Sequence, residues 1–239
     1  MLRVDGISKS FRGLKAVSSA AFDVPRGGIV ALIGPNGAGK TTCFNMIAGV
    51  FAPDSGRILF QGEEIQGRRA DQVCAAGIGR TFQIVKPFAG LTVLDNVMVG
   101  GFLKEKTRAG ARAVAMDVLK KLRLDAKAEL PASSLTLPDR KRLEVARALA
   151  TRPKLLLLDE VMAGLRPTET DMMVEVFRDL NRADGLTILL IEHVMRAVMA
   201  LAQKVVVLHH GEIIAGGAPA DVVRDPAVLE CYLGEEAEV

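Results

Sequence analysis

The sequence predicts an α/β fold with a parallel sheet, preceded by antiparallel strands and interrupted by a helical insertion. Three observations support this prediction. Short, largely apolar runs recur along the chain, as is typical of strands buried on both faces. Amphipathic helical stretches alternate with these runs, which favours parallel connections. Between them lies one long block with helical periodicity only.

The elements follow in order from the N-terminus. Residues 1–28 alternate apolar and polar side chains around a turn at 11–13, which indicates paired antiparallel strands. The buried strand Ile29–Ile33 and a Gly-rich loop come next, and a helix over 41–48 follows them. The remaining predicted elements are a hairpin over 57–65, helices over 91–150 and 168–180, and buried strands over 155–158, Thr187–Ile191 and 204–208.

We expect one domain over 1–239, with a helical subdomain at about 84–150 inserted in the α/β core. Apolar residues make up 49% of the chain, and the formal net charge is +3. That charge is too small to predict a nucleic-acid partner. No apolar run approaches the roughly 18 residues of a spanning helix, and the N-terminus lacks a signal-peptide pattern, so we expect a cytoplasmic protein. The three scattered cysteines predict reduced, packed thiols.

Residues 34–41, GPNGAGKT, match the phosphate-binding loop (P-loop) pattern between a predicted strand and a predicted helix. Glycines allow backbone N–H groups to surround a triphosphate, and the helix N-terminus adds a positive dipole. Lys40 would neutralise the β- and γ-phosphates, and the Thr41 hydroxyl would reach Mg²⁺. The predicted nucleotide-binding residues here are Gly34, Pro35, Asn36, Gly37, Ala38, Gly39, Lys40, Thr41 and Thr42.

Two adjacent carboxylates, Asp159 and Glu160, follow the buried strand 155–158. They should face the crevice outside the strand ends, where the P-loop also lies. Asp159 would hold Mg²⁺, usually through water, and Glu160 would polarise the attacking water. Taken alone, such a pair is also compatible with simple capping of a strand end.

Three further segments narrow the choice among P-loop proteins: 79–83, GRTFQ; 135–149, LTLPDRKRLEVARAL; and 191–193, IEH. In order and spacing, the chain resembles the ABC ATPases over essentially its whole length. The resemblance implies that Gln83 contacts Mg²⁺ or the attacking water and couples to membrane subunits. It also implies that His193 contacts the γ-phosphate and that Phe11 stacks on adenine, although an aromatic residue in a strand often belongs to the core.

Five further segments are informative: 80–83, 91–100, 141–149, 191–195 and 232–236. They are similar to ATPases of branched-chain amino-acid importers, in particular the first of their two paired subunits. The resemblance implies ATP hydrolysis that drives solute import. It implies a second ATPase subunit (a heterodimer, with a homodimer left open), two permeases and, indirectly, a solute-binding protein. The chain would then lie peripherally at the cytoplasmic face of the plasma membrane. Importers of urea, amides or aromatic acids share these five segments.

The segment 135–139, LTLPD, departs from the family's Leu-Ser-Gly-Gly-Gln; we call it the signature segment. Thr136 would supply the serine hydroxyl to a partner's nucleotide, in trans. Pro138 replaces a glycine whose N–H reaches the γ-phosphate, and Pro has no N–H to offer. Asp139 would repel a triphosphate, although Pro and Asp both suit a first helical turn. The hypothesis is therefore asymmetry: this chain's own site is intact and the partner's site is weaker.

Further departures lie after Glu160, where Val161 replaces a usual proline and Arg166 an Asp or Asn. Three alternatives stay open at this point. They are a non-transport ABC factor, for which coiled-coil insertions are missing; a module that binds ATP without cleaving it; and an exporter. A GTPase would need an Asn-Lys-x-Asp run, which this sequence lacks.

Overall fold

The structure, a computed structural model, describes residues 1–83 and 86–236. Within these residues the strands are, in chain order, β1 Leu2–Phe11, β2 Leu14–Val24, β3 Ile29–Ile33, β4 Ser55–Phe60, β5 Glu63–Glu64, β6 Ile78–Arg80, β7 Leu155–Asp159, β8 Thr187–Ile191, β9 Lys204–His209 and β10 Glu212–Gly217. The helices are α1 Lys40–Ile47, α2 Ala70–Ala76, α3 Val93–Gly101, α4 Arg108–Lys121, α5 Leu137–Leu149, α6 Pro167–Asp184, α7 Met195–Leu201, α8 Pro219–Val222 and α9 Pro226–Glu236.

The chain divides into two units, one of Met1–Val73 with Thr187–Val239 and one of Cys74–Leu186. The first unit opens with an antiparallel sheet in the order β2-β1-β4-β5. Its β1 pairs with both β2 and β4, and Leu2 lies opposite Val24 and Phe60. This sheet confirms the predicted antiparallel start, because the alternating apolar side chains lie on its buried face.

The same unit contains the strands β10-β9-β3-β8 in that order. The central strand β3 runs parallel to both β8 and β9 and is buried along its whole length. Apolar residues on both faces are what a covered parallel strand requires. The antiparallel strand β10 was not predicted; it follows β9 through a turn at His210 and Gly211.

The second unit contains the parallel pair β6 and β7 and the helices α3 to α6. Helices α4 and α5 each bury an apolar face, which includes Val118 and Leu119 in α4 and Leu143 and Ala146 in α5. Helix α6 is longer than predicted. Its first turn is stabilised because the Arg166 N–H donates to Glu169 at 2.8 Å, and it ends at Gly185, which has a φ of 64°.

The predicted helical subdomain at about 84–150 begins at residues 84 and 85, which lie outside the described residues. Helices α3, α4 and α5 fill the rest of that range. A single domain over 1–239 with an inserted helical subdomain stays a prediction. Among the described helices, none combines the length and the apolar character needed to span a bilayer.

Phe177 tests the packing of the second unit. This side chain lies in α6 and is fully buried, whereas Met172 on the same helix is 36% exposed. We expect Phe177→Ala to lower the free energy of unfolding by about 3–5 kcal/mol, because the vacated volume cannot be refilled. Met172→Ala should cost about 1 kcal/mol or less. Urea unfolding followed by circular dichroism measures both, and equal losses would contradict the assigned packing of α6.

Candidate nucleotide-binding site

The P-loop connects β3 to α1 in the first unit, and close neighbours require glycine at two of its positions. Gly34 has a φ of 145°, and a Cβ there would lie 1.9 Å from the Leu208 carbonyl oxygen. Gly39, with a φ of 102°, would meet the Ala16 carbonyl oxygen at 2.3 Å. No side chain tolerates such distances, so strands β2 and β9 hold the loop in its bent form.

Lys40, the first residue of α1, is buried with its ammonium inside the loop. Its Nζ donates to the carbonyl oxygens of Gly34 at 2.6 Å and Pro35 at 2.7 Å. These carbonyls compensate a charge that would be costly to bury alone. Asn36 and Gly37 form the exposed tip of the loop.

The two threonines that follow Lys40 lie in the first turn of helix α1. N–H groups in the first turn of a helix have no carbonyl partner within the helix. Thr41 is exposed and Thr42 is half-buried. The loop thus combines an ammonium, free helix-end donors and hydroxyls at one strand end, a combination that suits a bound anion.

His193 lies at the same sheet edge as the P-loop. Strands β3 and β8 are parallel, with Leu32 paired to Ile191, so both lead to this edge. His193 follows two residues after the end of β8 and is exposed. The described geometry therefore brings the predicted histidine to the edge from which the phosphate loop starts.

Phe11 ends β1 and is 43% exposed. Its ring meets Phe51 edge to face, with ring centroids 5.4 Å apart, and the Lys9 ammonium lies 5.8 Å from its centroid. The alternative that Phe11 is a core residue is therefore wrong, because nearly half of the side chain is open to solvent. An exposed aromatic fixed by a second ring is suited to stacking.

In the second unit, the two carboxylates at the end of β7 lie next to the segment that follows β6. Gln83 donates through its Nε2 to Glu160 Oε2 at 2.6 Å. Arg80 donates to Asp159 Oδ2 at 3.1 Å. Asp159 is buried, and Glu160 adopts a φ of 50°. The predicted residues Gln83 and Glu160 are thus in contact, and Asp159 is beside them.

Two more contacts fix this carboxylate cluster. The Asp159 N–H donates to Thr81 Oγ1 at 3.0 Å, and Lys141, buried on α5, donates to the Glu160 carbonyl oxygen at 3.0 Å. The left-handed backbone of Glu160 is unfavourable for a non-glycine residue, so the Lys141 contact helps to hold it.

The signature segment begins α5, and its charge differs from the sequence-based expectation. Asp139 is buried and forms ion pairs with Lys127 and Arg142. It also accepts a hydrogen bond from the Thr136 hydroxyl at 2.9 Å. The expectation that Asp139 repels a triphosphate is therefore corrected, because two cations compensate its charge within the chain. The Thr136 hydroxyl, predicted to serve a partner's nucleotide, is used internally here.

The pKa of Asp139 reflects this neutralisation. Burial alone would raise it, but hydrogen bonds from Lys127 and Thr136 and the charge of Arg142 outweigh burial and lower the pKa below its ordinary value of 3.8. Pro138 occupies the first turn of α5 and supplies no N–H there.

Sequence reasoning missed Arg80, Lys141 and Lys127. Arg80 and Lys141 lie in segments that carry the family resemblance, but nothing in the local sequence pattern indicates their hydrogen-bond partners. Those partners lie 79 and 19 residues away along the chain. Only the packed structure reveals that these cations serve carboxylate and carbonyl groups of the site. The functional roles assigned to the site residues stay predictions.

Comparison with known proteins adds independent information. The family model described as "ABC transporter" matches residues 17–163. A second model, "Branched-chain amino acid ATP-binding cassette transporter", matches residues 212–238. The chain is 38% identical to the high-affinity branched-chain amino acid transport ATP-binding protein LivG of Escherichia coli K12, over 98% of both chains. It is 37% identical to BraF of Pseudomonas aeruginosa, described in the same words, at the same coverage.

Solved structures show the same fold. A nucleotide-free ATP-binding cassette from an ABC transporter superposes with a TM-score of 0.89 at 30% identity, covering 97% of this chain and 98% of that one. The ADP conformation of an ATP-binding cassette of an ABC transporter also gives a TM-score of 0.89, at 31% identity and 98% coverage of both chains. The predicted α/β fold class is confirmed.

Asp139→Asn tests the ion-pair cluster. We expect it to lower the free energy of unfolding by about 2–3 kcal/mol at pH 7, because Lys127 and Arg142 lose their buried partner. Since folding lowers this pKa, the contribution is present above the ordinary value of 3.8 and lost as the pH falls below it. The difference from wild type in urea unfolding should therefore shrink towards pH 3.

The matched control for this test is Asp117→Asn. The Asp117 side chain is 66% exposed and lies 3.5 Å from Lys121. Exposed ion pairs contribute about 1 kcal/mol or less. A loss for Asp139→Asn that is no larger than that of the control, or that does not change with pH, would contradict the assigned cluster.

Proposed function

This chain belongs to the ABC transporter family of ATP-binding cassettes, and from that premise we propose that it is the ATP-hydrolysing subunit of a branched-chain amino-acid importer. The observation that carries the proposal is the P-loop between β3 and α1, which encloses the Lys40 ammonium. The substrate class is supported by the names of the LivG and BraF relatives. Urea, amide or aromatic-acid import remains the alternative for the solute.

ATP would bind with its phosphates on the P-loop. The β- and γ-phosphates replace the carbonyl oxygens of Gly34 and Pro35 as partners of Lys40, so the ammonium exchanges neutral acceptors for anionic ones. The N-terminus of α1 contributes N–H donors and a positive dipole. Phe11 offers an exposed ring to the base, and His193 lies at the sheet edge where the γ-phosphate would end.

Hydrolysis would then proceed with Glu160 as the group that orients and polarises water. The water oxygen attacks the γ-phosphorus as the bond to the β–γ bridging oxygen breaks, which yields ADP and phosphate. In the structure the Gln83 amide donates to the Glu160 carboxylate at 2.6 Å. This contact supports a role for Gln83 in coupling Glu160 to the membrane subunits.

Mg²⁺ is the metal that fits the proposed donor set. The Thr41 hydroxyl, the Gln83 amide oxygen and the Asp159 carboxylate are all hard oxygen ligands. No group of three or more His, Cys, Asp or Glu is arranged for a metal among residues 1–83 and 86–236. Mg²⁺ is usually held by one or two carboxylates together with substrate phosphates and water. When bound, the metal would neutralise charge on the β- and γ-phosphates.

The second unit offers an apolar surface for the permeases. Six large apolar side chains between residues 82 and 103 are 38–57% exposed: Phe82, Phe88, Leu91, Val99, Phe102 and Leu103. Exposed apolar side chains concentrated in one part of a chain suit a protein partner, here a short helix of each permease. Attachment to two permeases supports a peripheral position at the cytoplasmic face of the plasma membrane. A solute-binding protein would act only indirectly.

We place this chain in a heterodimer with a second ATPase subunit. Its P-loop, Asp159, Glu160 and His193 are complete. Its signature segment, by contrast, lacks an N–H at Pro138 and uses the Thr136 hydroxyl internally. The site that this segment completes on the partner would therefore be the weaker of the two. A homodimer would contain two such weak sites.

Glu160→Gln tests the assignment of the motor. ATP turnover by this chain with its neighbouring ATPase subunit should fall by about 10²-fold or more, because the water loses its base. The matched control is Glu175→Gln, an exposed carboxylate 3.7 Å from Arg123 in the same unit, which should leave turnover unchanged. If wild-type turnover never exceeds that of Glu160→Gln, a module that binds ATP without cleaving it becomes the better assignment.

Pro138→Gly tests the asymmetry. The change restores a backbone N–H at the start of α5, and one oxyanion-type donor is often worth about 10²-fold in rate. We therefore expect the chain alone to turn over ATP slowly and the variant alone to be at least about 10-fold faster. Pro167→Gly, at the first position of α6, makes the same chemical change elsewhere and should have no such effect. A wild-type homodimer as active as the heterodimer would refute the asymmetry.

A further inference from the structure

A buried ion pair joins Arg80 to the proposed metal-binding carboxylate. Arg80 ends β6, and its Nη2 lies 3.1 Å from Oδ2 of Asp159, which ends β7. The two side chains are 10% and 2% exposed. At such burial an uncompensated carboxylate is strongly unfavourable, so the guanidinium is part of what allows Asp159 to be charged there.

The backbone around this pair is fixed. Strand β6 pairs in parallel with β7, and Arg80 lies in register with Leu157. Beyond it, the Thr81 N–H donates to the Leu157 carbonyl oxygen at 3.0 Å, and Thr81 Oγ1 accepts from the Asp159 N–H at 3.0 Å. The backbone that carries the Arg80 side chain is thus held by a strand pair.

We propose that Arg80 is the resident counter-charge of Asp159, and that a divalent cation must compete with it for this carboxylate. The inference rests on the proposed function, in which Asp159 serves Mg²⁺. A guanidinium beside a carboxylate oxygen occupies lone pairs that the cation needs and repels a second positive charge in a poorly solvated site. Arg80 therefore raises the free Mg²⁺ concentration at which the nucleotide-loaded chain takes up metal.

Arg80 also has a second contact that can retain it after displacement. Its guanidinium carbon lies 5.4 Å from the ring centroid of Phe82, a side chain that is 57% exposed. A cation over an aromatic face at an exposed site is a weak but favourable arrangement. Metal loading would thus move the guanidinium's interaction from Asp159 towards the segment that carries Gln83.

The test is a Mn²⁺ titration of the full chain saturated with ADP, read from the electron paramagnetic resonance signal of free Mn²⁺. Arg80→Met removes the charge and approximately keeps the side-chain length. We expect its half-saturating Mn²⁺ concentration to be at least about 5-fold lower than that of wild type. About 5-fold is the lower end of the usual coupling between two ligands. Arg80→Lys, which keeps a positive charge, should stay closer to wild type.

Arg147→Met is the matched control, because Arg147 pairs with Glu144 at 2.8 Å in the same unit and not with Asp159. Its half-saturating Mn²⁺ concentration should equal that of wild type. A value for Arg80→Met that is unchanged or higher than wild type overturns the proposal, because Arg80 would then only orient Asp159. Should Arg80→Met not fold, Arg80→Gln carries the same expectation.

A thermal measurement without metal or nucleotide gives a second, independent outcome. Arg80→Met should lower Tm, and the same change should lower Tm less in an Asp159→Asn background, where no charge is left to compensate. Equal losses in both backgrounds would overturn the pairing. These readouts need no hydrolysis, so their failure leaves the Glu160→Gln test intact, whereas a wild-type chain that binds neither ADP nor Mn²⁺ would refute the proposed function itself.

Discussion

Burying a charge requires a partner, and the buried charged residues in each unit of this chain follow that constraint. Lys40 donates to two loop carbonyls, Asp159 is paired with Arg80, and Asp139 with Lys127 and Arg142. In the described structure each of these groups has a compensating partner within the chain. A ligand therefore exchanges partners with groups that are already satisfied, and its affinity depends on how readily the internal partners are given up.

The same constraint determines which of these buried charged groups would gain a better partner from a bound phosphate. Phosphates are better acceptors for Lys40 than neutral carbonyls, so the exchange at the P-loop favours binding. Asp139 is different, because two cations and the Thr136 hydroxyl already satisfy it and an ionised carboxylate has no hydrogen to donate to a phosphate. The chain thus combines a loop that readily accepts an anion with a signature segment that has little reason to contact one.

Much of this could be predicted from sequence because the signals are local. The strand Ile29–Ile33, the loop after it and the Asp159–Glu160 pair each depend on neighbouring residues, and the strands and helices predicted there are present. Strand β6 was missed because three residues, Ile78–Arg80, give no periodicity. The partners of Arg80 and Asp139 were missed for a different reason, since only the packed fold brings residues distant in sequence into contact. Helix α6 was predicted too short at its C-terminal end, because it continues past residue 180 to Asp184 and is ended only by Gly185, which adopts a left-handed conformation.

The packing of the P-loop against its neighbours limits how this cassette can be recombined with others. The Gly211 N–H donates to the Ala38 carbonyl oxygen, and the Ser18 N–H donates to the Gly211 carbonyl oxygen. Gly34 lies so close to the Leu208 carbonyl oxygen that no side chain fits between them. A chimera that imports residues 34–41 from another cassette but keeps its own β9–β10 turn would join two surfaces that were not shaped together. The loop and that turn would therefore have to be exchanged together, although some 170 residues of chain separate them.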